Sequence, residues 1–344
     1  MIYLWLIPAV AVLSLVLTAA LRRYALSRSI IDIPNARSSH SIPTPRGGGV
    51  AIVIAFLVSL PVLGYAGLVQ WSQLIAVGGA GVIVAVIGFM DDHGHIAARW
   101  RLLGHFSAAI WALAWAGGFP PVFIFGMNID LHWFGHFLGA VYLVWILNLY
   151  NFMDGIDGIA SIEALCVCLG ACLLYWISGA PTLIWGPLIL SMAVLGFLYW
   201  NFPPARIFMG DAGSGFLGIA LGVLSLQAAS ESSELFWAWL ILLGVFIVDA
   251  TFTLLRRLIR GDKVYEAHRS HAYQFASRQF GKHLPVTLAV GAINLLWLLP
   301  IAFCVTYWGI DGALGLAVAY IPLIALAVKF HAGQPESSVS TSAS

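Results

Sequence analysis

Long apolar runs alternate with short polar segments along almost the whole chain. A helix needs about 20 mostly apolar residues to cross the hydrocarbon core of a membrane, and eleven runs approach this length. The predicted spans are 1–21, 49–68, 72–90, 102–118, 135–149, 159–178, 182–200, 212–230, 235–255, 284–306 and 311–329. The pattern therefore predicts an all-α, polytopic integral membrane protein.

Composition supports this prediction. Of the 344 residues, 61% are hydrophobic and 9% are charged, whereas soluble domains contain about 25% charged residues. The net charge of +1 argues against nucleic acid as a partner, because proteins that bind it usually carry a strong basic excess. Three of the four cysteines lie in one apolar run without C-x-x-C spacing, so neither a zinc site nor a disulfide framework is expected.

The basic residues indicate how the chain is oriented. With the N-terminus outside, the inner segments are 22–48, 91–101, 150–158, 201–211, 256–283 and 330 onward. All 16 Lys and Arg lie in these segments, apart from Lys329 at the last boundary. The positive-inside rule therefore predicts an outer N-terminus and a cytoplasmic C-terminus. Residues 331–344 are rich in Ser and poor in apolar residues, so a disordered cytoplasmic tail is expected after a single transmembrane domain, 1–330.

Four polar clusters all fall at the predicted inner ends of the spans. They contain Asp91 and Asp92; Asn148, Asn151, Asp154 and Asp157; Asn201 and Asp211; and His268 and His271. The spans were assigned from hydropathy and tested with Lys and Arg alone, so the acids are an independent observation. Their coincidence on one side of the membrane predicts a common site.

The residue types in these clusters point to phosphoryl transfer. Five aspartates on one face repel one another unless a cation lies among them, and carboxylate and amide oxygens suit Mg²⁺. The Arg-rich loops beside them suit phosphates. Asp211 opens the eighth span, so we expect the free N–H groups of that helix to face the site and favour an anion. Enzymes that transfer phosphoryl groups usually combine a metal ion, carboxylates and cationic side chains.

Other interpretations are open. An Asp-Gly pair alone is usually a turn, and an Asp pair at a helix end is usually a solvated terminus. A membrane transporter with an acidic inner-face site is the main alternative, but transporters place ionisable residues near the bilayer midplane, where only Asp249 is expected. A CDP-alcohol phosphotransferase needs a compact D-G-x-x-A-R…G-x-x-x-D-x-x-x-D motif, which the sequence lacks.

With these motifs the chain resembles the polyprenyl-phosphate N-acetylhexosamine-1-phosphate transferases over nearly its whole length. Residues 32–49 resemble the first cytoplasmic loop of that family, and G-F-M-D-D resembles its aspartate pair. N-L-Y-N-F-M-D-G-I-D-G-I-A and F-M-G-D-A-G-S-G-F-L-G match its two most specific motifs. The family includes phospho-MurNAc-pentapeptide translocase and the GlcNAc-1-phosphate transferases of envelope polysaccharide synthesis.

The resemblance implies a reaction and its partners. A UDP-sugar would donate an N-acetylhexosamine-1-phosphate to undecaprenyl phosphate with Mg²⁺ (or Mn²⁺), giving UMP and an undecaprenyl-diphosphate-sugar. The sugar would be GlcNAc or a 6-deoxy relative, with GalNAc also open, and the product would initiate a polysaccharide such as the O-antigen of lipopolysaccharide. The enzyme would lie in the bacterial inner membrane with its active site on the cytoplasmic face. It could form a homodimer.

The family's roles can be carried over by position. Asp211 and Asp154 would ligate the metal, with Asp154 also catalytic; Asp91 and Asp92 would handle the lipid phosphate, one as a base. His271 would contact the phosphates or the sugar. The remaining substrate-binding candidates are Asn148, Asn151, Asp157, Asn201, His268, Arg269, Arg101 and Arg46. Direct attack by the lipid phosphate and a covalent aspartyl intermediate both stay open.

Two departures from the family pattern bear on specificity. Family members often carry a His-x-His-His run, whereas this chain has His268-Arg269-Ser270-His271 followed by Ala-Tyr-Gln. The lysine usual after the aspartate pair corresponds to Arg101. These features favour the branch that starts O-antigen or related polysaccharides over the peptidoglycan enzyme.

Overall fold

The protein is described by a computed structural model that covers residues 2–34, 42–94, 96–263 and 268–335. Its architecture is helical, as predicted. The α-helices are α1 (Leu6–Ser27), α2 (Val50–Tyr65), α3 (Trp71–His93), α4 (Ala98–Ala116), α5 (His132–Met153), α6 (Ile159–Ile177), α7 (Trp185–Asn201), α8 (Asp211–Glu231), α9 (Ser233–Leu242), α10 (Gly244–Ile259), α11 (Ala272–Phe280), α12 (Leu284–Ile293), α13 (Leu299–Trp308) and α14 (Gly312–Lys329). A π-helical segment, Asn294–Leu298, joins α12 to α13.

Each of the eleven predicted spans falls on helix. Within the described ranges, eight helical segments are long and apolar enough to cross a membrane, or nine if α9 and α10 form one span. Two predicted spans fall outside this group, because α2 is a shorter apolar helix and α4 carries Arg99 and Arg101 in its first turn. The all-α, multi-pass fold is confirmed, and the count of eleven and the positions of the termini stay predictions.

Helix α8 lies at the centre of the bundle, and its apolar window is completely buried. Glycines allow neighbouring helices to approach its backbone closely. A Cβ on Gly218 would lie 2.7 Å from the Cα of Leu147 in α5, and a Cβ on Gly88 of α3 would lie 2.5 Å from the carbonyl oxygen of Asp211. Such small residues let membrane helices pack at short range, and here they bring the inner ends of α3, α5 and α8 together.

Two features near the inner ends were not predicted. Helices α9 and α10 meet at a bend of 68° after Leu242, so the ninth predicted span is broken. The loop that follows contains α11, a nine-residue helix whose N-terminus lies against α10. Its length is too short for a span, and its mixed apolar and polar residues gave no hydropathy signal.

Two short hairpins complete the described part of the chain. Strands β1 (Ile31–Asp32) and β2 (Thr44–Pro45) pair antiparallel next to the inner helix ends, while β3 (Val122–Ile124) and β4 (Met127–Ile129) pair at the opposite end of the bundle. Of the expected tail, residues 331–335 form a turn in which the carbonyl of Ala332 accepts a hydrogen bond from Arg256. Residues 336–344 lie outside the described residues.

Candidate active site

A polar cavity of about 280 Å³ lies where the inner ends of α3, α5, α7 and α8 converge. Seven of the residues predicted from the sequence line it, together with several that were not predicted. The lining consists of Asp32, Arg46, Asp92, Asn151, Asp154, Gly155, Ile156, Asp157, Asn201, Phe208, Met209, Gly210, Asp211, Ser214, Gln274 and His283. All four polar clusters were expected to share one site; three of them line this cavity, and the fourth does not.

Asp92 caps the N-terminus of α8. Its carboxylate oxygens accept the backbone N–H groups of Asp211 at 3.1 Å and Ala212 at 3.2 Å, and only 6% of the residue is exposed. Gly210 precedes the helix with φ +79°, and a Cβ there would meet Asp92 Oδ2 at 2.8 Å. The anionic group at the positive end of this helix is therefore a carboxylate of the protein itself.

Asp91 is held by α4. Its carboxylate accepts hydrogen bonds from Arg101 at 2.5 Å and from the backbone N–H of Ile96 at 2.8 Å. The same Arg101 nitrogen lies 3.9 Å from Asp211 Oδ2. Arg101 therefore bridges two of the aspartates from the side of the cavity. Neither Asp91 nor Arg101 lines the cavity itself.

Asp157 is fixed by the start of α12 and by the loop before α8. One carboxylate oxygen lies 3.1 Å from His283 Nδ1, and the other accepts the backbone N–H of Ala205. The hydroxyl of Thr287 donates to the Asp157 carbonyl at 2.8 Å. Next to it, Asn201 accepts the N–H of Gly158, which has φ +73° and precedes α6. Both side chains thus fasten the D-G-I-D-G turn to the loop before α8.

Asp154 has different surroundings. Its carboxylate lines the cavity but makes no hydrogen bond or ion pair within the described ranges. Burial, followed by the nearby carboxylates of Asp211, Asp92 and Asp157, raises its pKa to about 7. A carboxyl group whose charge is disfavoured in this way is ready to accept a cation.

Asp154 and Asp211 are therefore the candidates for holding a metal ion. No group of three His, Cys, Asp or Glu side chains is arranged around a metal position in the described part of the chain. Two carboxylates facing a polar cavity nevertheless suit a small divalent cation, since Mg²⁺ is commonly bound by one or two carboxylates with water and substrate phosphates completing its shell.

Comparison with known proteins shows the family of the chain. The model of a family described as glycosyl transferase family 4 matches residues 74–229, from the first turn of α3 to the last turn of α8. A probable undecaprenyl-phosphate N-acetylglucosaminyl 1-phosphate transferase of Bacillus subtilis is 31% identical over 264 residues, covering 75% of this chain and 73% of the relative. The chain belongs to glycosyl transferase family 4. It is a multi-pass membrane enzyme of the sugar-phosphate transferase class.

Two further relatives have related activities. The decaprenyl-phosphate N-acetylglucosaminephosphotransferase of Mycobacterium tuberculosis is 30% identical over 324 residues, covering 85% of this chain and 79% of the relative. The phospho-N-acetylmuramoyl-pentapeptide-transferase of Moorella thermoacetica is 36% identical over 202 residues, covering 55% of this chain and 62% of the relative. The resemblance inferred from the sequence motifs is thereby confirmed.

The fourth polar cluster, His268 and His271, lies apart from the cavity. His271 is 2% exposed and stacks on His268 with ring centroids 4.9 Å apart. The carbonyl of Arg269 accepts a hydrogen bond from Arg278. Asn148 donates to the Val144 carbonyl of its own helix at 2.7 Å. None of these four predicted residues lines the cavity, and their roles toward substrates stay predictions.

Sequence reasoning missed several lining residues. Asp32, which was not predicted, reaches the cavity beside the predicted Arg46. Both do so because the first loop pairs with the segment before α8, where the Phe208 N–H donates to the Pro45 carbonyl at 2.8 Å. His283 and Gln274 come from the loop around α11. A second chamber of about 430 Å³ shares Asp157, Phe208 and His283 with the first and adds Lys282. Such contacts join distant segments, so local sequence patterns carry no signal for them.

Proposed function

We propose that the enzyme transfers an N-acetylhexosamine-1-phosphate, GlcNAc or a 6-deoxy relative, from a UDP-sugar to undecaprenyl phosphate. The products are UMP and an undecaprenyl-diphosphate-sugar, the first lipid-linked intermediate of a polysaccharide such as O-antigen. The names of the Bacillus and Mycobacterium relatives, which are polyprenyl-phosphate N-acetylglucosamine-1-phosphate transferases, support the acceptor class and the sugar class.

The observation that carries the proposal is the position of two carboxylates of the cavity. Asp154 and Asp211 face a polar cavity at the ends of apolar helices, where a soluble nucleotide and the headgroup of a membrane lipid can meet. A transporter site would lie deeper, near the bilayer midplane. We place this end of the bundle on the cytoplasmic face of the bacterial inner membrane, because all 16 Lys and Arg lie on that side of the predicted topology.

The proposed cofactor is Mg²⁺ or Mn²⁺, held by Asp154 and Asp211. When bound, the ion neutralises the charge of the donor's diphosphate and of the transferring phosphoryl group. The chain itself supplies Arg46, which lines the cavity and donates to the Asp92 carbonyl, so that its guanidinium is fixed beside the site. Arg101 lies against Asp91 and Asp211 and adds a second fixed positive charge.

The acceptor phosphate can attack directly. The second pKa of a phosphate monoester is about 6, so at neutral pH the lipid phosphate is largely a dianion and needs no general base. One of its oxygens forms a bond to the donor's β-phosphorus, and the bond from that phosphorus to the bridging oxygen breaks to release UMP. Asp91 and Asp92, whose carboxylates are engaged by Arg101 and α8, then serve to position the site. A covalent aspartyl intermediate would instead use Asp154.

Product analysis tests the proposal. Purified protein in detergent is mixed with undecaprenyl phosphate, Mg²⁺ and radiolabelled UDP-GlcNAc, with UDP-GalNAc and a 6-deoxy donor in parallel. We expect label to enter a butanol-extractable lipid with one favoured donor, and EDTA to stop the transfer. Folded protein that labels no lipid with any donor would contradict the proposed reaction.

A further inference from the structure

One buried acid has no place in the chemistry described above. Asp249 lies in the second turn of α10 and is 7% exposed. It does not line the active cavity. An ionisable side chain inside a membrane protein is costly unless its surroundings satisfy it, and it usually has a functional reason.

Besides the hydroxyl of Thr253 in its own helix, which donates to Oδ1 at 3.1 Å, the partners of Asp249 lie at the start of α11. Its Oδ1 accepts the backbone N–H of Ala272 at 2.9 Å, and its Oδ2 accepts that of Tyr273 at 3.0 Å. The ring of His271 contributes a third contact, with Nδ1 3.3 Å from Oδ1. Because Ala272 and Tyr273 are the first residues of α11, the carboxylate lies at the positive end of that helix and fastens it to α10.

Helix α11 in turn supports the turn that carries Asp154. The hydroxyl of Tyr273 donates to the Phe152 carbonyl at 3.0 Å. A Cβ on Gly155 would lie 2.1 Å from that hydroxyl and 3.2 Å from Gln274 Nε2, so both side chains rest directly on the turn. Gln274 also lines the cavity. A continuous set of contacts therefore leads from Asp249 through α11 to residues 152–155.

We propose that Asp249 is a positioning residue for the transfer reaction. It anchors α11 to α10, and α11 holds the 152–155 turn so that Asp154 faces the cavity in a fixed orientation. The buried His271 belongs to this anchor. The C-terminal end of α10 exposes Leu258 and Ile259, so the anchor connects a helix with an exposed apolar surface to the turn that carries Asp154.

This inference rests on the proposed function when it is tested by measuring turnover. A double-mutant cycle provides that test. Asp249→Asn keeps the size of the side chain but removes its charge and one acceptor, while Tyr273→Phe removes only the hydroxyl contact to Phe152. We expect Asp249→Asn to lower kcat by about tenfold or more, since small misplacements of catalytic groups can cost up to about 100-fold. In the Tyr273→Phe background the same substitution should cost distinctly less, because both act through the same turn.

Two results would overturn the role: wild-type kcat for Asp249→Asn, or an equal fold-loss in both backgrounds. Asp262→Asn is the matched control, since Asp262 is an acid in the loop after α10 that pairs with Arg257 and Arg260 outside the cavity, and its kcat should stay at the wild-type level. If Asp249→Asn does not fold, Tyr273→Phe alone decides. A lowered kcat with unchanged KM supports the inference, and an unchanged kcat contradicts it.

Amide hydrogen exchange separates this inference from the proposed function, because it needs no substrate. In Asp249→Asn the amides of Ala272 and Tyr273 should exchange faster, and so should those of residues 152–155. Wild-type exchange at 152–155 would show that α11 does not hold the turn, whatever reaction the enzyme performs. Absence of transfer by the wild-type protein would instead refute only the proposed function.

Discussion

Asp92 and Asp154 are carboxylates of one cavity with opposite surroundings. Asp92 accepts two backbone N–H groups at the start of α8, so its charge is compensated within the fold. The carboxylate of Asp154 has no hydrogen bond within the described part of the protein, and burial raises its pKa to about 7. At the scale of single residues, the two carboxylates therefore differ in their hydrogen-bond donors, and this difference is why Asp154 is the one proposed to hold a metal ion.

The raised pKa of Asp154 predicts how stability depends on pH in the metal-free protein. The folded-state pKa of about 7 lies above the unfolded value of about 3.9, so the folded state binds the extra proton. The stabilisation is fully present below the unfolded pKa and is lost as pH rises through the folded pKa. We expect the Tm of EDTA-treated protein in detergent to fall between about pH 4 and pH 7.

The variant Asp154→Asn has no carboxyl group to titrate at this position. Its Tm should depend less steeply on pH than that of the wild type, measured by scanning fluorimetry under the same metal-free conditions. Asp130→Asn, at the opposite end of the bundle next to His132, is the control and should keep the wild-type slope. Parallel curves for wild type and Asp154→Asn would show that this carboxyl group is not the source of the dependence.

At the scale of elements, the site depends on how closely α3 approaches the start of α8. A Cβ on Gly88 would lie 2.5 Å from the Asp211 carbonyl oxygen and 2.6 Å from the Ala212 nitrogen. Both atoms belong to backbone that also hydrogen bonds to Asp92. An added methyl group there must push the two helices apart, because a helix backbone has little freedom to give way.

Gly88→Ala is therefore expected to be costly although the substitution is small. Overpacking of this kind typically costs about 1–3 kcal/mol, and it should lower both Tm and turnover by moving Asp92 away from α8. The matched control is Gly94→Ala, because a Cβ on Gly94 meets its nearest atom at 3.9 Å. Equal Tm and activity for the two variants would contradict the close approach of α3 and α8.

The elements show what the sequence could and could not predict. Hydropathy located every long helix, because a run of about 20 apolar residues is typical of a membrane-spanning helix. It missed α11, whose role depends on contacts with Asp249 far away in the chain. The motifs predicted that aspartates of three clusters share one site. They could not predict that Asp92 and Asp157 accept hydrogen bonds while Asp154 does not, because the donors come from other segments of the chain.

At the scale of the whole molecule, orientation decides which substrates reach the cavity. The proposed donor is soluble, so the end of the bundle that carries Asp154 must face the compartment that contains nucleotide sugars. All 16 Lys and Arg lie on this side of the predicted topology. The prediction needs a direct test, because helix length and composition do not give the direction of insertion.

Cysteines introduced one at a time at the two ends of the bundle provide that test. Asp130→Cys lies in the loop between β4 and α5, and Asp262→Cys lies after α10. In intact spheroplasts a membrane-impermeant maleimide should label Asp130→Cys, and it should label Asp262→Cys only after the membrane is permeabilised. The wild type, whose four cysteines lie within helices, serves as the background. Labelling in the reverse order would invert the proposed orientation.

The central claim is that Asp154 and Asp211 carry a metal-dependent transfer to a lipid phosphate. The most direct measurement is UMP release from a UDP-N-acetylhexosamine by purified wild type, Asp154→Asn and Asp211→Asn, with and without undecaprenyl phosphate. The account predicts release by the wild type that requires both the lipid and Mg²⁺, and a loss of at least about 100-fold in each folded variant, as for removal of a group that stabilises transition-state charge. Release that continues without the lipid, or near wild-type rates in both variants, would contradict it.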